Sequence, residues 1–206
     1  TLTDLTTLDS RDTDEKVRDL CLEAIHPLGA GDDLPSCAAV CVWPVFAPLA
    51  KELLEGSEVQ LACVAAGFPF AQSPLTAKIA EIHYAVDHGA DEIDICINRG
   101  DFLAGKFEQI HDEIAALKEA CSGAHLKVII EECELPNLDA IAQACTLAIQ
   151  AGADFIKTST GKGSAGASLP VVKLMLDLTL KHREETGRLV GVKAAGGIRT
   201  CNEALE

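Results

Sequence analysis

Two lysines stand where lysines are rarely found. Lys157 and Lys193 each end a short apolar run, in Phe155-Ile156-Lys157 and in Val190-Gly191-Val192-Lys193. Lysine is almost never fully buried without a partner, and taken singly each reads most simply as a strand-end side chain snorkelling to water. Their spacing changes that reading. They lie 193 − 157 = 36 residues apart, one strand-plus-helix unit, which places them on neighbouring parallel strands about 4.8 Å apart. Two ammonium groups that close repel, and repulsion with desolvation favours the neutral amine, a nucleophile towards carbonyl carbon. Asp94, in Glu92-Ile93-Asp94-Ile95-Cys96-Ile97-Asn98, adds a carboxylate that can move protons or hold Lys193 in a salt bridge. The three together predict imine-forming chemistry without saying which reaction.

The elements that must carry these groups follow from hydrophobic periodicity. Strand candidates run over Asp4 to Leu8, Ala38 to Trp43, Val59 to Ala65, Glu92 to Asn98, Leu126 to Glu132, Phe155 to Thr160 and Val190 to Ala195. Between them lie amphipathic helices, such as those carrying Ile110, Ile114, Leu117 and Cys121, or Val171, Leu174, Met175 and Leu178, with apolar positions at steps of three and four. The segments HGADEIDI and AGADFIKT both set Gly-Ala-Asp before a strand, with their glycines 152 − 89 = 63 residues apart, or two βα units of about 30 residues. That period predicts a single α/β domain over 1–206, a TIM (β/α)8 barrel more simply than a doubly wound sheet. No G-x-G-x-x-G or Walker motif follows any strand. Alternation along a strand then puts Ile93, Ile95, Ile156 and Val192 outside, against helices, and Asp94, Lys157 and Lys193 inside.

Composition excludes several classes of partner. The 206 residues carry 17 Lys plus Arg against 32 Asp plus Glu, a net charge of −15, which makes nucleic acid and anionic membranes poor partners and small molecules the expected ones. The longest apolar stretch, Cys37 to Ala50, is interrupted by Pro44 and Pro48 and is too short to span a bilayer. No secretory signal is visible at the start. Nine cysteines stand singly, with no C-x-x-C pair, which fits buried, reduced thiols in a cytoplasmic protein.

The words of the sequence also resemble a known family. DLTTLDSRDTDEK from Asp4, GADEIDICIN from Gly89, LKVIIEE from Leu126, GADFIKTSTGK from Gly152 and VGVKAAGGIRT from Val190 are together similar to the deoxyribose-phosphate aldolases, in order and across essentially the whole chain. The resemblance implies that Lys157 forms the Schiff base. It further implies that Lys193 perturbs the pKa of that lysine and shares in proton transfer, and that Asp94 is the acid/base partner. The implied reaction is cleavage of 2-deoxyribose 5-phosphate to glyceraldehyde 3-phosphate and acetaldehyde, with no metal or other cofactor. The partners are then phosphosugars and aldehydes, with a homodimer as the possible assembly.

Secondary candidates are weaker. Cys41 falls where relatives carry a thiol near the active site, although a small core residue is the favoured reading of a strand cysteine. Asp4 and Glu131 sit at strand positions that reach the barrel mouth, to orient water or substrate hydroxyls, with surface charge as the competing reading. Thr160 at the end of the sixth strand is a substrate-binding candidate, and Gly161, Lys162 and Gly163 after it and Gly196 and Gly197 after the seventh are candidates to cradle a phosphate on backbone N–H groups, or simply tight turns. The sequence also departs from the family. Thr200-Cys201-Asn202-Glu203 forms a capping box, yet the residues that follow do not supply the family's eighth strand, final helix and serine-bearing turn. Asp4 follows without the family's helical lead-in, and Ala194 stands where some relatives have proline. Two alternatives remain open on the residues: another Schiff-base barrel, such as transaldolase or a pyridoxal-phosphate enzyme, and a non-catalytic barrel fragment or oligomerisation module.

Overall fold

In the computed structural model, which describes residues 2–29, 34–198 and 200–205, seven strands form one parallel sheet in the order β1 to β7. They are β1 (Asp4–Thr6), β2 (Ala39–Val42), β3 (Gln60–Val64), β4 (Glu92–Cys96), β5 (His125–Ile129), β6 (Phe155–Lys157) and β7 (Gly191–Lys193). Helices α1 (Asp14–Ile25), α2 (Ala47–Leu54), α3 (Leu75–Asp87), α4 (Arg99–Leu103), α5 (Phe107–Ala120), α6 (Leu138–Gln150), α7 (Leu169–Thr186) and α8 (Cys201–Leu205) connect or follow them. All seven expected strands are present. Most are shorter than expected at their C-terminal ends, because residues such as Ser159 and Thr160 leave the ladder to build the barrel mouth.

The period-two pattern sorts the core into two layers. Val40, Val42, Leu61, Cys63, Ile93, Ile95, Leu126, Val128 and Ile156 pack outward against Val17, Ala50, Ile82, Ile114, Leu117, Ala144 and Met175 of the helices. The opposite faces line the lumen, where Leu8, Ala39, Cys41, Ala62 and Val64 form one small cluster and Ala71, Cys96 and Ile129 another. The expected inside and outside faces are therefore those observed.

The repeated Gly-Ala-Asp has a specific structural job. Gly89 and Gly152 adopt φ of 90° and 102° just after α3 and α6, a conformation cheap only for glycine. Each following aspartate then fastens the start of the preceding strand. Asp91 Oδ2 accepts from the Leu61 N–H at 2.9 Å and Asp154 Oδ2 from the Leu126 N–H at 2.7 Å. Lys51 and Lys118 pair with these aspartates at 3.1 and 2.6 Å. The same device recurs two units apart because the same joint must be made.

The capping box is also real: Thr200 N–H donates to Glu203 Oε2 at 2.9 Å and Glu203 N–H to Thr200 Oγ1 at 3.3 Å. Among the described residues, β1 and β7 each have a neighbour on one side only. The sheet nevertheless curls far enough for Asp4 on β1 to pair with Lys193 on β7 at 2.7 Å. No helix among the described residues is long and apolar enough to cross a membrane. The eight cysteines from Cys21 to Cys145 are all free thiols.

Candidate active site

Three lysines from consecutive strands, β5, β6 and β7, point into the lumen with Asp94 of β4. Asp94 is the register partner of Lys127, and Lys157 that of Lys193. Asp94 is buried and divides its two oxygens: Oδ2 accepts from Lys157 Nζ at 2.5 Å and Oδ1 from Lys127 Nζ at 3.1 Å. Lys127 also donates to Glu92 Oε2. An alternating row of charges, Glu92, Lys127, Asp94 and Lys157, therefore runs along the lumen.

Electrostatics follow from this row. Burial opposes ionisation of Asp94, but the ammonium groups of Lys157 and Lys127 outweigh it and hold the carboxyl well below its usual range. Burial likewise opposes charge on Lys157 and Lys127. Asp94 holds both ammonium groups up regardless, helped by Glu92 at Lys127. The resting site is thus an ionised network.

Here the structure corrects the electrostatic reading of the sequence. Lys157 and Lys193 are neighbours as expected, yet the pKa of Lys157 is raised rather than lowered. The reason is that each lysine has its own carboxylate, Asp94 for Lys157 and Asp4 for Lys193. Asp94 consequently does not hold Lys193. For Lys157 to attack a carbonyl it must first lose its proton, and Asp94 lies at hydrogen-bond distance to take it.

Lys127 and Glu92 were missed in the sequence although the signal was present. Leu126, Val128 and Ile130 alternate outward, so Lys127 had to face in with the same parity as Asp94.

The remaining candidates fall into two groups. Cys41 faces the lumen beside Asp94 and Lys157, with its thiol pushed up to about 12 by burial, a protonated and weakly nucleophilic state. Glu131 is 1% exposed, so it is not a surface charge. It accepts from the hydroxyl of Thr160 and from its N–H at 3.3 Å, and so fastens the loop that follows β6. Lys162 N–H donates to Thr160 Oγ1 at 2.9 Å, and Lys162 Nζ reaches across the mouth to the Leu8 carbonyl at 2.6 Å.

The two glycine loops are built against each other. Ala167 N–H donates to the Ala195 carbonyl at 2.9 Å. A Cβ on Gly166 would fall 2.0 Å from the Gly196 oxygen, so only glycine permits the contact. Gly161 and Gly197 have φ of 77° and 85° with open space beside them. Thr158 Oγ1 ties the loops to the sheet, donating to the Ala195 carbonyl at 3.1 Å and accepting from its N–H at 3.0 Å. Gly163 sits beneath them, close to Glu131 and Cys133.

The DeoC/LacD family aldolase description matches residues 1–206. The mouse deoxyribose-phosphate aldolase is 42% identical over 215 aligned residues, covering 100% of this chain and 68% of the mouse protein. A solved structure from Coccidioides immitis superposes with a TM-score of 0.87 at 33% identity, over 98% of this chain and 74% of that one. The tetrameric deoxyribose phosphate aldolase of Aeropyrum pernix superposes at 0.79 with 31% identity, over 98% and 79%. These likenesses favour neither a transaldolase, nor a pyridoxal-phosphate enzyme, nor a non-catalytic module. The fold is that of the TIM-barrel aldolases, and the chain belongs to the DeoC/LacD aldolase family.

Proposed function

We propose that this protein is a class I deoxyribose-phosphate aldolase, a carbon–carbon lyase whose imine forms on Lys157. The observation that carries the reading is the buried Lys157–Asp94 contact of 2.5 Å, with Lys127 and Lys193 on the strands to either side. Lys157 gives its proton to Asp94 or to a water held there, and its amine attacks C1 of the open-chain sugar. The carbinolamine loses water to give a protonated imine, an electron sink. The C2–C3 bond then breaks as the C3 hydroxyl gives up its proton, releasing glyceraldehyde 3-phosphate and leaving an enamine on Lys157. Protonation at C2 and attack of water on the imine carbon release acetaldehyde and restore the amine.

Lys193, beside Lys157 and paired with Asp4, is placed to shuttle those protons with Asp94. The glycine loops at 161–163 and 196–197, with Lys162 and Thr160, hold the phosphate on backbone N–H groups and one ammonium. Cys41, Asp4 and Glu131 complete the site, Cys41 as a wall of the lumen, Asp4 and Glu131 by holding Lys193 and the phosphate loop. We read residues 1–206 as one barrel domain, working as a homodimer, and place it in the cytoplasm on the strength of its free thiols.

Borohydride reduction in the presence of acetaldehyde, followed by peptide mapping, tests the reading. A two-carbon adduct on Lys157 is expected. An adduct on Lys127 or Lys193 instead, or none in protein that cleaves the sugar, overturns the assignment.

A further inference from the structure

Lys127 presents a problem that Asp94 alone cannot solve. Its ammonium is deep in the lumen with 2% of the side chain exposed, and a buried charge is tolerated only with good compensation. Asp94 is already committed to Lys157 through Oδ2, leaving one oxygen for Lys127. Glu92 closes the balance. It lies two residues before Asp94 on the same face of β4, so Lys127 Nζ sits between the two carboxylates.

The surroundings keep Lys127 there. The Phe155 ring lies 6.0 Å from its Nζ and leans on His125 at 6.1 Å. Gly191 makes room for that ring, since a Cβ there would fall 2.2 Å from Phe155 Cε1. His125 Nδ1 comes within 4.0 Å of Glu92 and is largely exposed. The charged and titratable groups facing the row include Asp4 on β1, Cys41 on β2, Glu92, Asp94 and Cys96 on β4, His125 and Lys127 on β5, Lys157 on β6 and Lys193 on β7.

We propose that Glu92 is a positioning residue for the carbonyl chemistry: by neutralising the ammonium of Lys127 from the far end of the lumen, it leaves Asp94 free to exchange a proton with Lys157. This rests on the reading of Lys157 as the imine-forming lysine. Without Glu92, two buried ammonium groups share one carboxylate. Asp94 is then drawn to Lys127 and becomes a poorer proton acceptor for Lys157, and the added positive field favours the neutral amine on Lys157.

Glu92→Gln is therefore expected to lower kcat at least 10-fold while KM stays within about twofold, and to move the ascending limb of the pH profile about one unit to lower pH. In a Lys127→Met background, which removes the ammonium that Glu92 serves, the same substitution is expected to change kcat less than about twofold. An equal loss in both backgrounds, or a wild-type kcat and pH profile in Glu92→Gln, overturns the proposal. Should Glu92→Gln lose the wild-type circular-dichroism spectrum, the double variant decides. Recovery of the fold with the kcat of Lys127→Met supports action through Lys127, and a double variant that stays unfolded where Lys127→Met folds refutes it. Trapping wild-type protein with acetaldehyde and borohydride separates the two claims. An adduct on Lys157 with a silent Glu92 variant defeats the proposal alone, whereas no adduct on Lys157 defeats the underlying reading and the proposal with it.

Discussion

A single carboxylate between two ammonium groups sets the chemistry at the scale of one residue. On the proposed imine chemistry Lys157→Ala removes the covalent step, and kcat is expected to fall by about 10³-fold or more with the fold retained, measured by coupled release of glyceraldehyde 3-phosphate. Asp94→Asn should be as damaging and should also destabilise the protein by about 3–5 kcal/mol, because it strands the buried ammonium of Lys157 and leaves Lys127 to Glu92 alone. The sign of the pH dependence follows from the directions of the shifts. Asp94 has its folded pKa below the ordinary 3.8, so its contribution is present above that value and is lost as pH falls through the folded pKa. Lys157 has its folded pKa above the ordinary 10.5, so its contribution is present below that value and is lost as pH rises through the folded one. Urea midpoints of the wild type should therefore show a plateau between these limits, and Asp94→Asn should flatten the acid side of the curve. A wild-type acid limb that persists unchanged in the variant would show that other carboxylates dominate.

Elements were legible in the sequence to the extent that a simple period governs them. Ile93, Ile95 and Ile97 alternate outward and force Asp94 inward, and no contact needed to be known to see it. Gly-Ala-Asp announced two helix ends and two strand starts, and the ion pairs with Lys51 and Lys118 explain its recurrence. What the period could not give was pairing. Which carboxylate serves which lysine depends on side-chain reach across strands, and so the Asp4–Lys193 and Asp94–Lys127 contacts came only with the structure. Glu131 was equally opaque, since its φ of 55° turns the chain and aims the carboxylate back at Thr160. The joint itself can be tested. Asp154→Ala removes the acceptor of the Leu126 N–H and the partner of Lys118, and should cost about 1–3 kcal/mol in chemical denaturation. Asp154→Asn, which keeps an acceptor, should lose less. Equal losses would assign the effect to charge rather than to the strand-start hydrogen bond.

The whole molecule raises a question of curl that neither residues nor elements pose. A parallel sheet with right-handed crossovers curls, but the curl alone does not fix how near its first and last strands come. In this protein Asp4 and Lys193, 193 − 4 = 189 residues apart, meet across the lumen at 2.7 Å with little exposure. Such a contact closes a loop of 189 residues, so it forms only when the rest of the sheet is in place and reports on global rather than local order. It also joins architecture to chemistry, because the lysine that draws β7 towards β1 is the neighbour of Lys157 in the ladder. Breaking the pair from one side leaves a poorly solvated charge, whereas removing both partners leaves none. Asp4→Asn and Lys193→Met are thus each expected to destabilise the protein by about 2–4 kcal/mol, and the double variant by less than the sum, with a coupling of about 1–3 kcal/mol from denaturation midpoints. Salt should weaken this coupling only slightly, since the pair is largely shielded from solvent. Strict additivity would mean that the two side chains act independently and that the curl is set by helix packing alone. Strong coupling would mean that the charge network aligning Lys157 and the curl of the sheet are one structure, built by the same residues.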